Sequence, residues 1–247
     1  MRNKRNNWKS SRPTEHLEPK DFEYYIFCEG QQTEPNYFNG FKELIDNNPI
    51  YEDMVRIEIE PCGAETLRVI YQAEEYVRKH SLKKAQIWCV YDKDSFPAEH
   101  FNAVEERAKV LNQRNEDVQY YCAWSNECIE FWFILHFSFY HTNNPREDYI
   151  RYLDNRFRRE GLGKYQKNMS NIFSILMDNG NPRLAVKYAQ RIINENKGKT
   201  PTNIAPGTKV YELVLELAKY LPREYQGRFM SEGVLRKQHA NAKGDCR

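Results

Sequence analysis

The stretch that decides the fold runs from Tyr24 to Phe38 and reads YYIFCEGQQTEPNYF. Its first five residues are aromatic, β-branched or otherwise apolar, which is typical of a buried strand, and Glu29-Gly30 ends that strand. Thr33 can then serve as the N-cap of a helix. An amphipathic helix ending at Asp46 is predicted by apolar residues at helical spacing: Tyr37, Phe38, Phe41, Leu44 and Ile45.

The alternation of strand and helix continues as far as Ser125. Further strands are predicted at residues 55–59, 87–91 and 118–123, with helices at 64–80 and 99–114. Strands that are separated by helices favour right-handed crossovers and a parallel sheet. Beyond Ser125 the periodicity is helical, with predicted helices at 127–140, 147–158, 171–177, 182–195 and 208–220. The predicted fold class is therefore α/β: a mostly parallel sheet flanked by helices, followed by a helical C-terminal half.

We divide the chain into four segments. Residues 1–20 are polar and basic, which predicts a disordered arm. Residues 21–140 are predicted to form the α/β domain, and residues 141–222 a helical region packed on it. Residues 223–247 lose clear periodicity and predict a flexible tail.

Composition excludes several classes of protein. The 247 residues include 37 Lys and Arg against 35 Asp and Glu, and a formal net charge of +2 argues against a histone-like polycation. No segment approaches about 20 uninterrupted apolar residues, and no apolar stretch follows the basic start, so neither a membrane span nor a signal peptide is expected. The six cysteines form no C-x-x-C motif, which favours buried free thiols in the reducing cytoplasm.

Acidic residues follow the predicted strands, at the edge where ligands bind to open α/β sheets. Glu29 comes directly after the first strand, and Glu34 opens the following helix. Asp92 and Asp94 follow the strand at 87–91. Because residues two apart in an extended chain point to the same side, both aspartates can face one ion.

Glu130 lies after the next strand, and Asn126, four residues earlier, would share a helical face with it. Because the carboxyl ends of parallel strands meet at one edge, all of these carboxylates could converge. They would then repel one another unless a cation neutralised them. Mg²⁺ or Mn²⁺ prefers such oxygen ligands, and it can bind a scissile phosphate and activate water.

Four of the five acidic residues also have a structural interpretation. Glu34 could complement a helix dipole, Asp92 and Asp94 could lie in a solvated turn, and Glu130 could form a salt bridge. His136, in the same apolar run as Glu130, is interpreted first as a buried core residue and second as a ligand. The metal hypothesis requires the carboxylate oxygens to lie within mutual reach, and it would fail if each were held by its own arginine.

Three blocks, in order, resemble the RloB-like family, which is associated with phage abortive infection and is built on a TOPRIM-type α/β core. They are Cys28–Phe38, Trp88–Phe96 and Ser125–Phe137. Gly163–Lys167 and Gly207–Tyr211 match the family more loosely, so the resemblance covers residues from about 20 to 220.

The resemblance implies roles for the acidic residues. It places a general base or metal ligand on Glu29 and further metal ligands on Glu34, Asp92 and Asp94. A metal role for Glu130 is our inference from the clustering. The sequence departs from the family pattern in having Glu127 where the family usually has proline, and Lys93 lies between the two aspartates.

The activity implied by a TOPRIM core is nucleic-acid chemistry. Nothing suggests the zinc module of a primase or the tyrosine-bearing domain of a topoisomerase, so we expect a Mg²⁺-dependent nuclease acting on RNA, including tRNA, or on DNA. The resemblance also implies an ABC-type ATPase partner and a role in antiphage defence, and it leaves a homo-oligomer open. The alternative is a non-catalytic TOPRIM adaptor or sensor. A nucleotide-binding regulator is a weaker third reading, because no Walker lysine motif or G-x-G-x-x-G is present.

Basic residues would contact the substrate. Lys164 and Lys167 are candidates for steadying the charge that develops on the phosphate. A predicted helix carries arginines that could follow a phosphate backbone, although such residues usually form a solvated face: Arg151, Arg158 and Arg159. Three further residues are expected to shape the site: Gly30, Asn126 and His136.

Overall fold

The computed structural model describes residues 20–63, 65–94, 97–114 and 117–230. The predicted disordered arm lies outside the described residues except for residue 20, and so do residues 231–247 of the predicted flexible tail. Within the described ranges the chain forms a mixed α/β fold with a mostly parallel sheet and a helical second half. The predicted fold class is confirmed.

Five strands form one sheet in the order β2-β1-β3-β4-β5. The first four are parallel: β1 (Phe22–Cys28), β2 (Val55–Pro61), β3 (Ala85–Asp92) and β4 (Val118–Asn126). β5 (Gly207–Thr208) pairs antiparallel with the end of β4. β1 and β3 are buried almost throughout because they lie in the middle of the sheet, which explains their continuous apolar sequences.

Three helices connect the parallel strands: α1 (Thr33–Asp46), α2 (Thr66–His80) and α3 (Ala98–Arg114). The second half contains α4 (Glu130–Leu135), α5 (Arg146–Arg159), α6 (Ile172–Asn179), α7 (Pro182–Glu195), a 3₁₀ turn (Pro201–Asn203), α8 (Val210–Ala218) and α9 (Arg223–Phe229). Most of the apolar positions that the sequence predicted are turned inward, although Tyr71 on α2 is exposed. On α1, for example, Tyr37, Phe38, Phe41 and Ile45 are buried.

The predicted helix over 127–140 is wrong in its extent, because α4 covers only Glu130–Leu135. On the N-terminal side, the carbonyl of Glu127 accepts a hydrogen bond from the N–H of Asp94 at 3.1 Å, so this segment belongs to the edge of the sheet. On the C-terminal side, the carbonyl of His136 accepts from the N–H of Asn181, the N-cap of α7, at 2.7 Å. Both backbone groups are therefore committed to partners far along the chain.

Two elements differ from the sequence-based expectation near the C-terminus. The predicted helix at 208–220 begins later, at Val210, because Thr208 pairs with Ser125 as part of β5. Residues 223–229 form α9 rather than the start of a flexible tail. This helix is held because Phe229 and Gln226 are buried, and the Gln226 amide donates to the carbonyls of Lys219 and Leu221 at 2.8 and 2.9 Å.

The helical half packs on the sheet and on α1 through aromatic residues. The rings of Phe41 on α1 and Phe173 on α6 lie 4.8 Å apart between centroids. Trp132 on α4 donates from its Nε1 to the hydroxyl of Tyr37 at 2.9 Å. These contacts hold α4 and α6 against α1, so that the start of α4 lies beside the start of α1, where the acidic residues are.

Candidate metal centre

The predicted acidic residues converge at the carboxyl edge of the sheet. One cavity of about 530 Å³ is lined by all five of them: Glu29, Glu34, Asp92, Asp94 and Glu130. They reach it from the ends of two adjacent central strands, β1 and β3, and from the first turns of α1 and α4. The topology therefore gathers residues that are up to about a hundred positions apart in the sequence.

Glu29 is fixed by the neighbouring strand. Its Oε2 accepts a hydrogen bond from the backbone N–H of Asp92 at 3.1 Å, and its own N–H donates to the carbonyl of Val90 at 2.9 Å. The pKa of Glu29 is raised to about 7, chiefly because the side chain is buried. The hydrogen bonds from Asp92 and Thr66 oppose this shift, whereas the negative charge of Glu34 adds to it.

Glu34 lies in the first turn of α1 and folds back over Gly30. A Cβ atom at Gly30 would lie only 2.1 Å from Oε2 of Glu34, so the glycine leaves the space that this carboxylate occupies. Burial raises the pKa of Glu34 to about 7. The charge of Glu130 contributes to this rise, while the charges of Arg146 and Lys167 oppose it.

Asp92 and Asp94 share one partner that the sequence analysis did not identify. The guanidinium of Arg146, the first residue of α5, donates from Nη2 to Asp92 at 2.8 Å and from Nη1 to Asp94 at 2.5 Å. Burial and the charge of Glu34 raise the pKa of Asp92 well above its usual range, although Arg146 opposes the shift. Burial lowers the pKa of Arg146, but the charge of Asp92 and the other nearby acidic groups more than offsets that effect and raises it.

Glu130 is 1% exposed and is not paired with a lysine or an arginine through a direct contact in the described chain. Its Oε1 accepts a hydrogen bond from the hydroxyl of Tyr165 at 3.2 Å. Tyr165 belongs to the stretch between α5 and α6, so this contact also ties the helical half to the acidic cavity. Burial and the adjacent Glu130 raise the pKa of the Tyr165 hydroxyl, which keeps it a hydrogen-bond donor.

The side chains are not arranged as a finished metal site. Within residues 20–63, 65–94, 97–114 and 117–230, no three His, Cys, Asp or Glu side chains are grouped so that they could hold a metal ion. Instead, two carboxylates turn toward a guanidinium, which occupies the position of a cation between them. Carboxylate oxygens are ligands that Mg²⁺ and Mn²⁺ prefer, so the chemistry of the donor set fits such an ion even though the aspartates face Arg146.

The remaining predicted residues are divided between the cavity and other places. Lys167 lines the cavity, and its carbonyl accepts from the hydroxyl of Thr33 at 2.9 Å. Lys164 and Arg159 are exposed outside that lining. Arg151 and Arg158 form ion pairs on their own helix, with Asp148 at 2.7 Å and with Asp154 at 3.0 Å. The arrangement of these two arginines matches the solvated-face interpretation.

Two residues expected to shape the site lie away from the cavity. Asn126 ends β4 and is not on a helix, so the shared helical face predicted for it and Glu130 is wrong. The Asn126 amide donates to the carbonyl of Thr202 at 3.2 Å and holds the 3₁₀ turn. His136 is 2% exposed, and its Nδ1 lies 3.0 Å from the carbonyl of Trp132, as expected for a buried core histidine.

Sequence reasoning missed Arg146 and Thr66. Arg146 had one signal: a basic residue in the first turn of a helix is unfavourable for the helix dipole, which suggests an external acidic partner. Thr66 begins α2, is fully buried, and donates from its hydroxyl to the carbonyl of Asp92 at 3.4 Å. No local feature of the sequence marks that contact.

The fold and the cavity define a class of protein: a mixed α/β protein with an acidic cavity at the carboxyl edge of a mostly parallel sheet. The chain belongs to the RloB-like protein family, whose match covers residues 24–217. No curated protein and no solved structure matches the chain. In the ranges that the structure describes, no helix has both the length and the apolar character needed to cross a membrane.

Proposed function

We propose that this protein is a divalent-metal-dependent phosphodiesterase that cleaves RNA, including tRNA, or DNA. The observation that carries the proposal is the convergence of five acidic side chains on one cavity at the carboxyl edge of the sheet. Of these, Glu34, Asp92 and Glu130 are buried, and burying several carboxylates together is costly unless a cation accompanies them.

Each residue would have a defined task in hydrolysis. Glu34, Asp92, Asp94 and Glu130 would hold Mg²⁺ or Mn²⁺, which would supply Lewis-acid polarisation of the phosphate and a lower pKa for bound water. Glu29 would accept the proton of the attacking water as the new P–O bond forms and the bond to the leaving oxygen breaks. Lys167, on the lining of the same cavity, would steady the negative charge on the phosphate, and a solvent proton would neutralise the leaving oxygen.

Only family membership supports the biological setting that we propose. RloB-like proteins are associated with abortive infection, so we propose an antiphage effector controlled by an ABC-type ATPase partner in the cytoplasm. Lys164, Arg151, Arg158 and Arg159 remain candidates for contacts with nucleic acid outside the cavity.

A cleavage assay tests the proposal directly. The full chain, with and without the candidate ATPase, is incubated with labelled tRNA, single-stranded DNA and duplex DNA in Mg²⁺, Mn²⁺ or EDTA. We expect cleavage that requires metal, and a loss of about 100-fold or more in Glu29→Gln, because that change removes the proton acceptor. Asp178→Asn is the matched control, since Asp178 is an exposed acid on α6 whose side chain is 68% accessible.

The adaptor alternative is favoured by one observation, the pairing of Asp92 and Asp94 with Arg146, which gives both aspartates a structural partner. The same variants separate the two functions. Phage protection that survives in Glu29→Gln and Asp92→Asn, with no metal-dependent cleavage by the wild-type protein, would establish an adaptor and contradict the nuclease.

A further inference from the structure

Arg146 is a basic residue in direct ion-pair contact with two carboxylates of the acidic cavity. Its guanidinium bridges Asp92 and Asp94, whereas its Nε is buried and has no hydrogen-bond partner in the described structure. Two nitrogens of the guanidinium are hydrogen-bonded to carboxylates, but Nε is not. Because a buried donor without a partner costs free energy, the bridging position of Arg146 is not fully stabilised.

The helix that carries Arg146 does not stabilise it at this position. Arg146 is the first residue of α5, after Pro145, and the positive end of the helix dipole repels a basic side chain there. The carboxylates of Asp92 and Asp94 therefore supply the attraction that keeps the guanidinium in the acidic cavity. A divalent cation that bound to those two carboxylates would neutralise their charge and so remove the attraction that keeps Arg146 there.

A second cavity adjoins the first and shares Arg146 and Asp94 with it. This second cavity has a volume of about 400 Å³, and apart from Pro145 the rest of its lining is acidic or polar: Glu127, Asn143, Asn144 and Glu147. Arg146 thus lies at the boundary of two cavities that both contain acidic side chains. If the guanidinium leaves the two aspartates, the second cavity provides carboxylates that can accept its hydrogen bonds.

Glu127 is the acidic residue of the second cavity whose charge interacts with Arg146. Burial raises the pKa of Glu127, and the charges of Lys93 and Arg146 lower it, while those of Asp94 and Glu147 raise it. Lys93, Asp94, Arg146 and Glu147 are thus the charged groups around Glu127. With Asp94 held by the metal, Glu127 and Glu147 are two acidic groups against one basic group, Lys93, so they can accept a displaced guanidinium.

We propose that Arg146 is a built-in counter-cation that competes with the divalent metal for Asp92 and Asp94, and that it moves toward Glu127 and Glu147 when the metal binds. The inference rests on the proposed function, in that it takes the acidic cavity as the metal site. It predicts that the affinity for metal is set by an exchange of cations rather than by the carboxylates alone.

The exchange is tested without measuring activity by titrating the full chain with Mn²⁺. Electron paramagnetic resonance and calorimetry measure the binding affinity. Arg146→Met removes the competing charge and should bind Mn²⁺ roughly ten-fold more tightly than the wild type. Arg191→Met is the matched control: Arg191 is also paired with a carboxylate, Glu195, at 2.7 Å, but it lies on α7 and lines neither cavity. Unchanged or weaker Mn²⁺ binding by folded Arg146→Met would overturn the proposal and leave Arg146 as a positioning residue.

Arg146→Lys keeps the test decisive if Arg146→Met does not fold. It retains a positive charge among the buried carboxylates but lacks the two-pronged geometry of a guanidinium, so it should bind Mn²⁺ about three-fold more tightly than the wild type. Affinity equal to or below that of the wild type would again contradict the exchange.

The destination of the guanidinium is tested by a double-mutant cycle. Glu127→Gln should weaken Mn²⁺ binding in the wild-type background and have no effect in the Arg146→Met background, where no displaced charge needs an acceptor. An equal weakening in both backgrounds would show that Glu127 acts on the metal directly, and it would overturn this part of the proposal. These results separate a failure of this inference from a failure of the proposed function. If Mn²⁺ displaces Arg146 but the protein cleaves nothing, the nuclease proposal fails and the cation exchange stands. If the protein cleaves nucleic acid and Arg146→Met binds Mn²⁺ no more tightly, only the cation exchange fails.

Discussion

At the scale of single residues, two small residues, Gly30 and Thr66, shape the acidic cavity. Gly30 leaves the space into which the Glu34 carboxylate folds. The hydroxyl of Thr66 lies near two acceptors, the carbonyl of Asp92 and the carboxylate of Glu29, and can donate its one hydrogen to either. The acidic residues provide the charge, and these neighbours determine where each carboxylate is held.

His136 makes the stability of the protein depend on pH. Burial lowers the pKa of His136 to about 4, and its Nε2 is buried without a hydrogen-bond partner in the described structure. Because the unfolded chain binds a proton at this histidine at about pH 6.5 and the folded chain does not, the contribution of His136 to the free energy of unfolding is highest above that pH. It should fall by about 2 kcal/mol between pH 7.5 and pH 5 from this residue alone.

Urea unfolding at pH 7.5 and pH 5 measures this effect. His136→Asn keeps a donor near Trp132 but cannot be protonated, so it should lose that part of the pH dependence. His100→Asn, at an exposed position on α3, is the control and should keep it. Equal pH dependence in His136→Asn and the wild type would contradict the assignment.

The sequence predicted the acidic residues of the cavity but not their neighbours. Glu29, Asp92 and Asp94 were recognisable because each closely follows an apolar run that had to be a strand. Arg146 pairs with Asp92 across 54 positions, and Thr66 contacts Asp92 across 26, so their roles depend on tertiary structure. Asn126 was misplaced for the same reason, since its partner Thr202 lies 76 residues away.

At the scale of secondary-structure elements, the contact between α1 and α6 fixes the start of α1. Gly40 is the point of closest approach, because a Cβ atom there would lie 2.2 Å from Cγ of the Phe173 ring. The side chain of Phe173 also packs on Phe41, so the ring has little freedom to withdraw. The position of α1, and with it the position of Glu34, depends on this close approach.

Gly40→Ala should therefore destabilise the protein by about 1–3 kcal/mol, because the added methyl group overpacks the contact with Phe173. Gly227→Ala is the matched control, since Gly227 is also helical but nothing lies within 4 Å of its Cβ position. The control should be neutral or slightly stabilised, as alanine favours a helix. Thermal unfolding of both variants measures the difference, and equal stability of the two would show that α1 and α6 are not in close contact.

The bounds of a helix or strand were predicted most accurately where the local sequence alone determines them. The four parallel strands and α1, α2, α3, α5 and α7 were predicted to within about three residues, because their apolar periodicity is continuous. β5 has only two residues and exists because Ser125 and Thr208 pair, which no local pattern indicates. α4 is short because its flanking carbonyls accept hydrogen bonds from distant N–H groups.

At the scale of the whole molecule, a nearly neutral chain contains a strongly acidic cavity. The net charge of +2 hides the local grouping of five carboxylates with one guanidinium bridging two of them. A polyanion such as RNA or DNA would be repelled from that cavity unless cations first reversed its charge. If the protein is the proposed nuclease, metal binding would precede productive contact with nucleic acid.

A crystal of the full chain grown with Mn²⁺, with anomalous diffraction collected at the manganese absorption edge, tests the central claim most directly. We predict an anomalous peak bonded to oxygens of Asp92 and at least one of Glu29, Glu34, Asp94 and Glu130, with the Arg146 side chain moved away from the aspartates. A map without such a peak at millimolar Mn²⁺, in which Arg146 still bridges Asp92 and Asp94, would contradict it.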